Sequence, residues 1–192
     1  LIQARDLLAE AGWTVQDGVL KNAQGNVFTI DVLLVQKGFG RIFAPFTHNL
    51  KKLGIDMKYR TVDASLYIRR LDSDDFDMVV TSFPQSVSPG NELMNMFHSQ
   101  AAELEGSRNL AGIANPVVDA LIEKIIDAED REQLIIASHA LDRVMLHNEY
   151  LIPNWFIDTH RIAYRDKFQI PKTLPLYYEP VSWLLKTWST RE

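Results

Sequence analysis

Apolar residues recur along this chain with two different periods, and each switch between periods marks an element. Leu1, Ala4, Leu8 and Ala11 share one helical face, and Gly12 follows where a helix-ending glycine belongs. Asp17-Gly18 and Gln24-Gly25-Asn26 read as turns around a short hairpin. From Val27 to Val35, β-branched and large apolar residues crowd together and predict a strand. A helix follows from about Arg41, with Phe43, Phe46, Leu50 and Leu53 on one face, and Gly54 closes it. Ile55, Met57, Tyr59 and Thr61 then alternate with Asp56, Lys58 and Arg60, the period of a half-buried strand. Asp63 is placed to cap a helix carrying Leu66, Tyr67 and Leu71, and Phe76 to Phe83 predicts another strand. Residues 27 to 83 therefore run β-α-β-α-β, which implies α/β architecture with parallel pairing.

Further on, Asn115-Pro116 supplies a cap and a first-turn proline for a helix whose face is Val118, Leu121, Ile122, Ile125 and Ile126. A second helix, from about Asp130, buries Leu134, Leu141, Val144 and Met145. Residues 151 to 157 and 160 to 165 look like a hairpin turning at Asp158-Thr159. Tyr177 to Trp188 is an aromatic tail that packs across the domain. The expected division is a body over residues 1–175 and a tail over 176–192 that packs on it or leaves it. No internal repeat and no low-complexity segment interrupts the pattern.

Charge narrows the field. The 192 residues carry a formal net charge of -5, and the basic pairs Lys51-Lys52 and Arg69-Arg70 stand alone. Nucleic-acid binding needs a basic stripe that displaces counterions, so no nucleic-acid partner is expected. The chain has no cysteine, which removes disulfides, thiol catalysis and Cys-based zinc sites together. No apolar run approaches the roughly 18 residues of a membrane span. No signal peptide is visible, but the chain opens at Leu1 inside a helix already under way, as a piece of a longer protein would.

Candidate chemistry thins out on inspection. The run Asp72-Ser73-Asp74-Asp75-Phe76-Asp77 has Phe76 and Asp77 where a calcium loop needs a ligand and a glycine, so it reads as a solvated turn. The five histidines show no H-E-x-x-H spacing and read as surface or capping groups. Neither G-x-S-x-G nor S-x-x-K occurs, and no metal, cofactor or catalytic set is expected. What stands out is Thr81 to Asn91, a loop rich in hydroxyl and amide groups that leaves the C-terminal end of a parallel strand. Open α/β sheets present their ligand crevices there. Phe83, Gln85, Ser86, Ser88 and Asn91 are its candidate contacts; a purely structural Pro/Gly/Ser loop is the competing reading.

The order of segments resembles the family 5 extracellular solute-binding proteins that serve oligopeptide, dipeptide and nickel ABC transporters. The residues that carry the likeness are Ala4-x-x-Leu7-Leu8-x-x-Ala11-Gly12-Trp13, Leu50-Lys51-x-Leu53-Gly54-Ile55, Val62-Asp63, Phe76-Asp77-Met78 and Pro153-x-Trp155. A likeness to the YejA-like subgroup rests on Pro84-Gln85-Ser86-x-Ser88-Pro89-Gly90-Asn91-Glu92, Asn109-x-x-Gly112-Ile113 and Leu141-Asp142-Arg143-Val144.

The resemblance implies the C-terminal lobe of a two-lobed, periplasmic binding protein-like fold, with a mixed β-sheet flanked by helices. It also implies a non-catalytic, periplasmic or membrane-tethered component that binds peptides or peptide-like compounds for uptake. Its partners would be the N-terminal lobe and the permease subunits. Asn109 and Trp155 join the candidate contacts on this ground. In oligopeptide binders the loop carries a Trp and, three residues on, an Asp that pairs with the peptide α-amino group; Phe83 and Ser86 occupy those positions here. The aromatic is kept and the carboxylate is gone, which suits a ligand whose N-terminus is blocked or held elsewhere. A ligand-sensing regulatory domain on the same fold and an α/β hydrolase-type enzyme are the alternatives.

Overall fold

Pairing of one apolar strand with two neighbours organises the N-terminal part of the molecule. The computed structural model describes residues 1–83, 88–156, 158–175 and 179–190. It divides into two compact units, Leu1–Leu151 and Ile152–Glu192.

In the first unit, helix α1 (Ile2–Glu10) leads into a hairpin of β1 (Thr14–Gln16) and β2 (Val19–Lys21). Strand β3 (Thr29–Leu34) then runs to helix α2 (Gly40–Lys51), β4 (Asp56–Thr61), helix α3 (Ala64–Asp72) and β5 (Met78–Val79). Both β4 and β5 pair with β3 in parallel, giving the order β4-β3-β5. The expected β-α-β-α-β unit is therefore present, with β3 at its centre. Val32, Leu33 and Leu34 are buried on both faces of the sheet, as the middle strand of a covered parallel sheet requires. Val32 and Leu34 pack with Phe43 and Met57; Leu20, Leu53 and Ile55 form a separate cluster under α1 and the hairpin.

Two strand expectations are corrected here. The strand foreseen over 76–83 pairs only at Met78 and Val79. Upstream, the Asp77 N–H still donates to the Asp31 carbonyl (3.2 Å) but the Asp31 N–H goes to the Asp77 carboxylate (2.8 Å), and downstream the Val80 carbonyl accepts the Tyr67 hydroxyl (3.2 Å), so side chains replace part of the ladder. In β4 the alternation is only half realised. Met57 is buried, but Tyr59 and Thr61 are exposed because β4 lies at the sheet edge, where Tyr59 leans on Phe43 at 6.0 Å.

Asp63 caps α3 as its position suggested, accepting the N–H groups of Ser65 and Leu66 at 3.0 Å. The Leu66 bond, helped by that from Ser65, holds this carboxyl below its ordinary value of 3.8. A carboxyl depressed on folding adds stability that is present above its unfolded pKa and lost as pH falls through the folded one. Asp63→Asn keeps a capping oxygen without the titration, so its melting temperature is expected to fall less than the parent's on acidification below about pH 4. Equal acid sensitivity in thermal melts of the two proteins would refute this role.

Helices α4 (Glu92–Phe97), α5 (Pro116–Ile126) and α6 (Arg131–His147) complete the first unit. Asn115 and Asp130 cap α5 and α6 through the N–H groups of Val117 (2.9 Å) and Gln133 (2.8 Å). Leu93, Val118, Ile122, Ile125, Leu141 and Met145 form their shared core. Burying such side chains contributes roughly 1.5–3 kcal/mol each.

The second unit holds helix α7 (Pro180–Thr187) and an antiparallel pair, β6 (Phe168–Gln169) with β7 (Ser189–Thr190). The Trp188 ring meets Tyr164 at 4.9 Å and Trp183 at 5.8 Å, so the aromatic tail packs on its own unit. The hairpin foreseen over 151–165 is absent among the described residues. Ile152, Trp155 and Phe156 are exposed, and a two-stranded ribbon without a buried face is marginal in water.

Candidate ligand-binding site

The strand order β4-β3-β5 has a consequence for chemistry. The chain leaves β3 toward one side to make α2 and β4, and returns through α3 to pair on the other side as β5. The connections thus diverge at the carboxyl ends of β3 and β5, and such a switch point opens a crevice in an open parallel sheet. A cavity of about 290 Å³ lies there. Leu33 and Leu34, each about 1% exposed, form its floor, with Phe39 and Val80 beside them. Tyr67 closes one side, and the exposed Gln36, Thr81 and Ser82 stand at its mouth.

Each lining group has a local cause. Gln36 precedes the short 3-10 turn Lys37–Phe39 and makes no side-chain capping bond. Tyr67 sits on the first turns of α3, oriented by the Asp63 cap. Burial pushes the Tyr67 phenol above its ordinary 10.0, so its hydroxyl stays a donor to the Val80 carbonyl at neutral pH. Beyond Val80 the chain leaves the ladder. The backbone N–H and C=O groups of Thr81, Ser82 and Phe83 have no hydrogen-bond partner among the described residues. Unpaired strand-end groups beside an apolar hollow can pair with an extended peptide and seat a side chain.

The residues singled out from sequence fall into different settings. Phe83 is half-buried, its ring 5.2 Å from Phe97 of α4, so the aromatic is anchored at the end of the strand. Gln85 and Ser86 lie outside the described residues. Ser88 is exposed and its hydroxyl accepts from Arg131 Nη1 at 3.3 Å, tying the returning loop to α6. Asn91 is exposed at the start of α4, with no side-chain capping bond. Trp155 belongs to the second unit and is largely exposed.

Asn109 lies within the 98–113 loop. It is buried, and its amide nitrogen donates to the carbonyls of His98 (3.2 Å) and Ile113 (2.9 Å) while its oxygen accepts the Ile113 N–H (2.9 Å). Both donors are spent on the backbone, so it holds the 98–113 loop in shape and has no N–H left for a ligand. The acidic run also has internal work. Arg70 Nε donates to Asp75 (2.8 Å), and Arg70 Nη2 reaches Asp31 (3.3 Å), joining α3, the following turn and β3.

Gln36, Phe39 and Tyr67 were not foreseen as site residues. The signal was available: the switch-point rule applies to the loop after β3 as well as to that after β5. A larger, open hollow of about 600 Å³ lies within the second unit, among Tyr164, Lys167, Phe168 and Trp188. It is a surface opening between aromatic rings.

Residues 1–104 match the model of the bacterial extracellular solute-binding proteins, family 5 Middle. The uncharacterized protein y4wM of Sinorhizobium fredii is 43% identical over 178 residues, covering 92% of this chain and 27% of its own length. The probable peptide-binding protein YejA of Agrobacterium fabrum is 42% identical over 178 residues, covering 92% of this chain and 29% of its own. Among solved structures, the oligopeptide-binding protein AppA of Bacillus subtilis, in complex with a nonapeptide, superposes with a TM-score of 0.68 at 26% identity. That match covers 77% of this chain and 30% of AppA. The chain thus spans under a third of the length of these relatives, and its α/β fold is that of the periplasmic binding proteins. With the parallel β4-β3-β5 unit lying inside the matched residues 1–104, the chain belongs to the bacterial extracellular solute-binding proteins of family 5.

Proposed function

We propose that this chain is part of the C-terminal lobe of a binding protein that captures peptides or peptide-like compounds outside the cytoplasm for an ABC transporter. One observation carries the reading. The unpaired backbone of Thr81 to Phe83 runs beside the cavity at the carboxyl ends of β3 and β5, so a peptide could add its own N–H and C=O groups there. Membership of family 5 and the peptide-related names of YejA and AppA support it. No chemistry is required of the site. The ligand contacts both lobes at once and shifts an open-closed equilibrium toward the closed form, which the permease recognises. The protein works in the periplasm or tethered to the outer face of the membrane.

A lobe alone offers only one wall, so the full-length protein should bind a mixed peptide pool at micromolar Kd or tighter in titration calorimetry, and the 192-residue chain far more weakly. In the full-length protein, Ser82→Pro removes one exposed N–H without disturbing the core. It should weaken peptide binding on the order of threefold to tenfold, the worth of one hydrogen bond, while melting is unchanged. Failure of the full-length protein to bind any peptide would overturn the proposal.

A further inference from the structure

The cavity at the ends of β3 and β5 has a composition that bears on which part of a ligand can enter it. None of its described lining residues carries a carboxylate, an ammonium or a guanidinium group. Its floor is aliphatic, and the polar groups at its mouth, Gln36, Thr81 and Ser82, are all neutral. Of the charged groups on the same elements, Arg70, one turn beyond Tyr67 on α3, is bound to Asp75 and Asp31, and Lys37, next to Gln36, is exposed and does not line the cavity. Asp31 lies three residues before Leu34 on β3, roughly 10 Å back along the strand.

Size points the same way. At about 290 Å³ the hollow falls at the lower edge of the roughly 300–1,000 Å³ that whole small-molecule sites occupy, so it suits one side chain and its attachment. A charge brought onto aliphatic floor residues without an opposing partner loses its hydration and gains no ion pair, whereas an apolar or amide side chain loses little. Gln36 is exposed at the mouth, and its amide makes no hydrogen bond among the described residues. That leaves both its donor and acceptor for the ligand.

We infer that this cavity is a side-chain subsite that selects an uncharged residue of the bound peptide, with Gln36 as the group that sets the selection. This rests on the peptide-binding reading above and names the substrate class that reading leaves open.

The test uses the full-length protein and alanine tetrapeptides carrying Leu, Gln, Glu or Lys at each position in turn, measured by titration calorimetry. At one position Leu and Gln should bind on the order of tenfold or more tighter than Glu and Lys. Gln36→Glu should then raise the affinity of the Lys peptide at that same position severalfold and lower that of the Glu peptide, leaving the other positions unchanged. Equal binding of charged and neutral peptides at every position would overturn the inference. So would a neutral preference that Gln36→Glu leaves untouched, because the selecting pocket would then lie elsewhere. In both of those outcomes peptides still bind and the transport reading survives. If neither the tetrapeptides nor a mixed peptide pool bind, the peptide reading fails and takes the subsite with it.

Discussion

Asn109→Ala is expected to destabilise the protein by roughly 2–4 kcal/mol with no ligand present. The substitution leaves the Ile113 carbonyl and the Ile113 N–H without their partner, while the His98 carbonyl keeps the Ala101 N–H at 2.9 Å, and each buried group left unsatisfied costs about 1–3 kcal/mol unless water reaches it. For a chain of this size that corresponds to a fall in melting temperature of roughly 5–15 °C. Asn109→Asp sharpens the test. It retains an acceptor for the Ile113 N–H but turns a carboxylate oxygen toward two carbonyls, so it should be no better than alanine. A ligand-contact residue would behave otherwise, with melting of the free protein unchanged and affinity alone reduced. That pattern would return Asn109 to the binding site and undo its role as a loop staple.

The second large effect is expected at Gly54. This residue ends the α2–β4 connection at φ +78, and its carbonyl accepts the Leu20 N–H at 2.8 Å, seating the β1–β2 hairpin on the sheet. A Cβ placed there would lie 2.6 Å from the Leu20 nitrogen and 3.0 Å from the Val19 carbonyl carbon. Both are backbone atoms, so relief requires the hairpin to move. Gly54→Ala should cost about 1–2 kcal/mol for the left-handed conformation and about 1–3 kcal/mol for the displaced backbone. Gly18→Ala is the control. Gly18 has φ +79 but nothing within 4 Å of an added Cβ, so only the conformational cost applies. Urea denaturation of both variants separates the contributions, and equal destabilisation would show that the close approach to Leu20 does not matter.

Local signals made much of this molecule readable in advance. Asp63, Asn115 and Asp130 cap the helices their positions announced, because a cap depends on a side chain and a backbone two or three residues away. The β-α-β-α-β order followed from the periods of the apolar residues, and the parallel pairing from the helices that separate the strands. Pro45 shows a local rule overridden. It sits inside α2, where it removes one backbone bond, yet the helix persists because Phe43, Phe46 and Leu50 are held under β3 and β4.

What failed to show in the sequence was decided between distant residues. Whether Phe76 to Phe83 would pair along its length depended on the side chains of Asp77 and Tyr67, which take up the Asp31 N–H and the Val80 carbonyl at its two ends. The hairpin expected over 151–165 needed a buried apolar face, and among the described residues Ile152, Trp155 and Phe156 are exposed.

The sequence by itself determined helices α1 to α3, α5 and α6, the caps at Asp63 and Asn115 and the parallel α/β order, since each is written in spacings of two to four residues. Only the tertiary structure decided that Gln36, Tyr67 and Ser82 line one cavity while Asn109 is consumed within its loop. Those outcomes depend on which strand ends converge and which buried backbone groups require a partner, and both are long-range properties that no short stretch of chain contains.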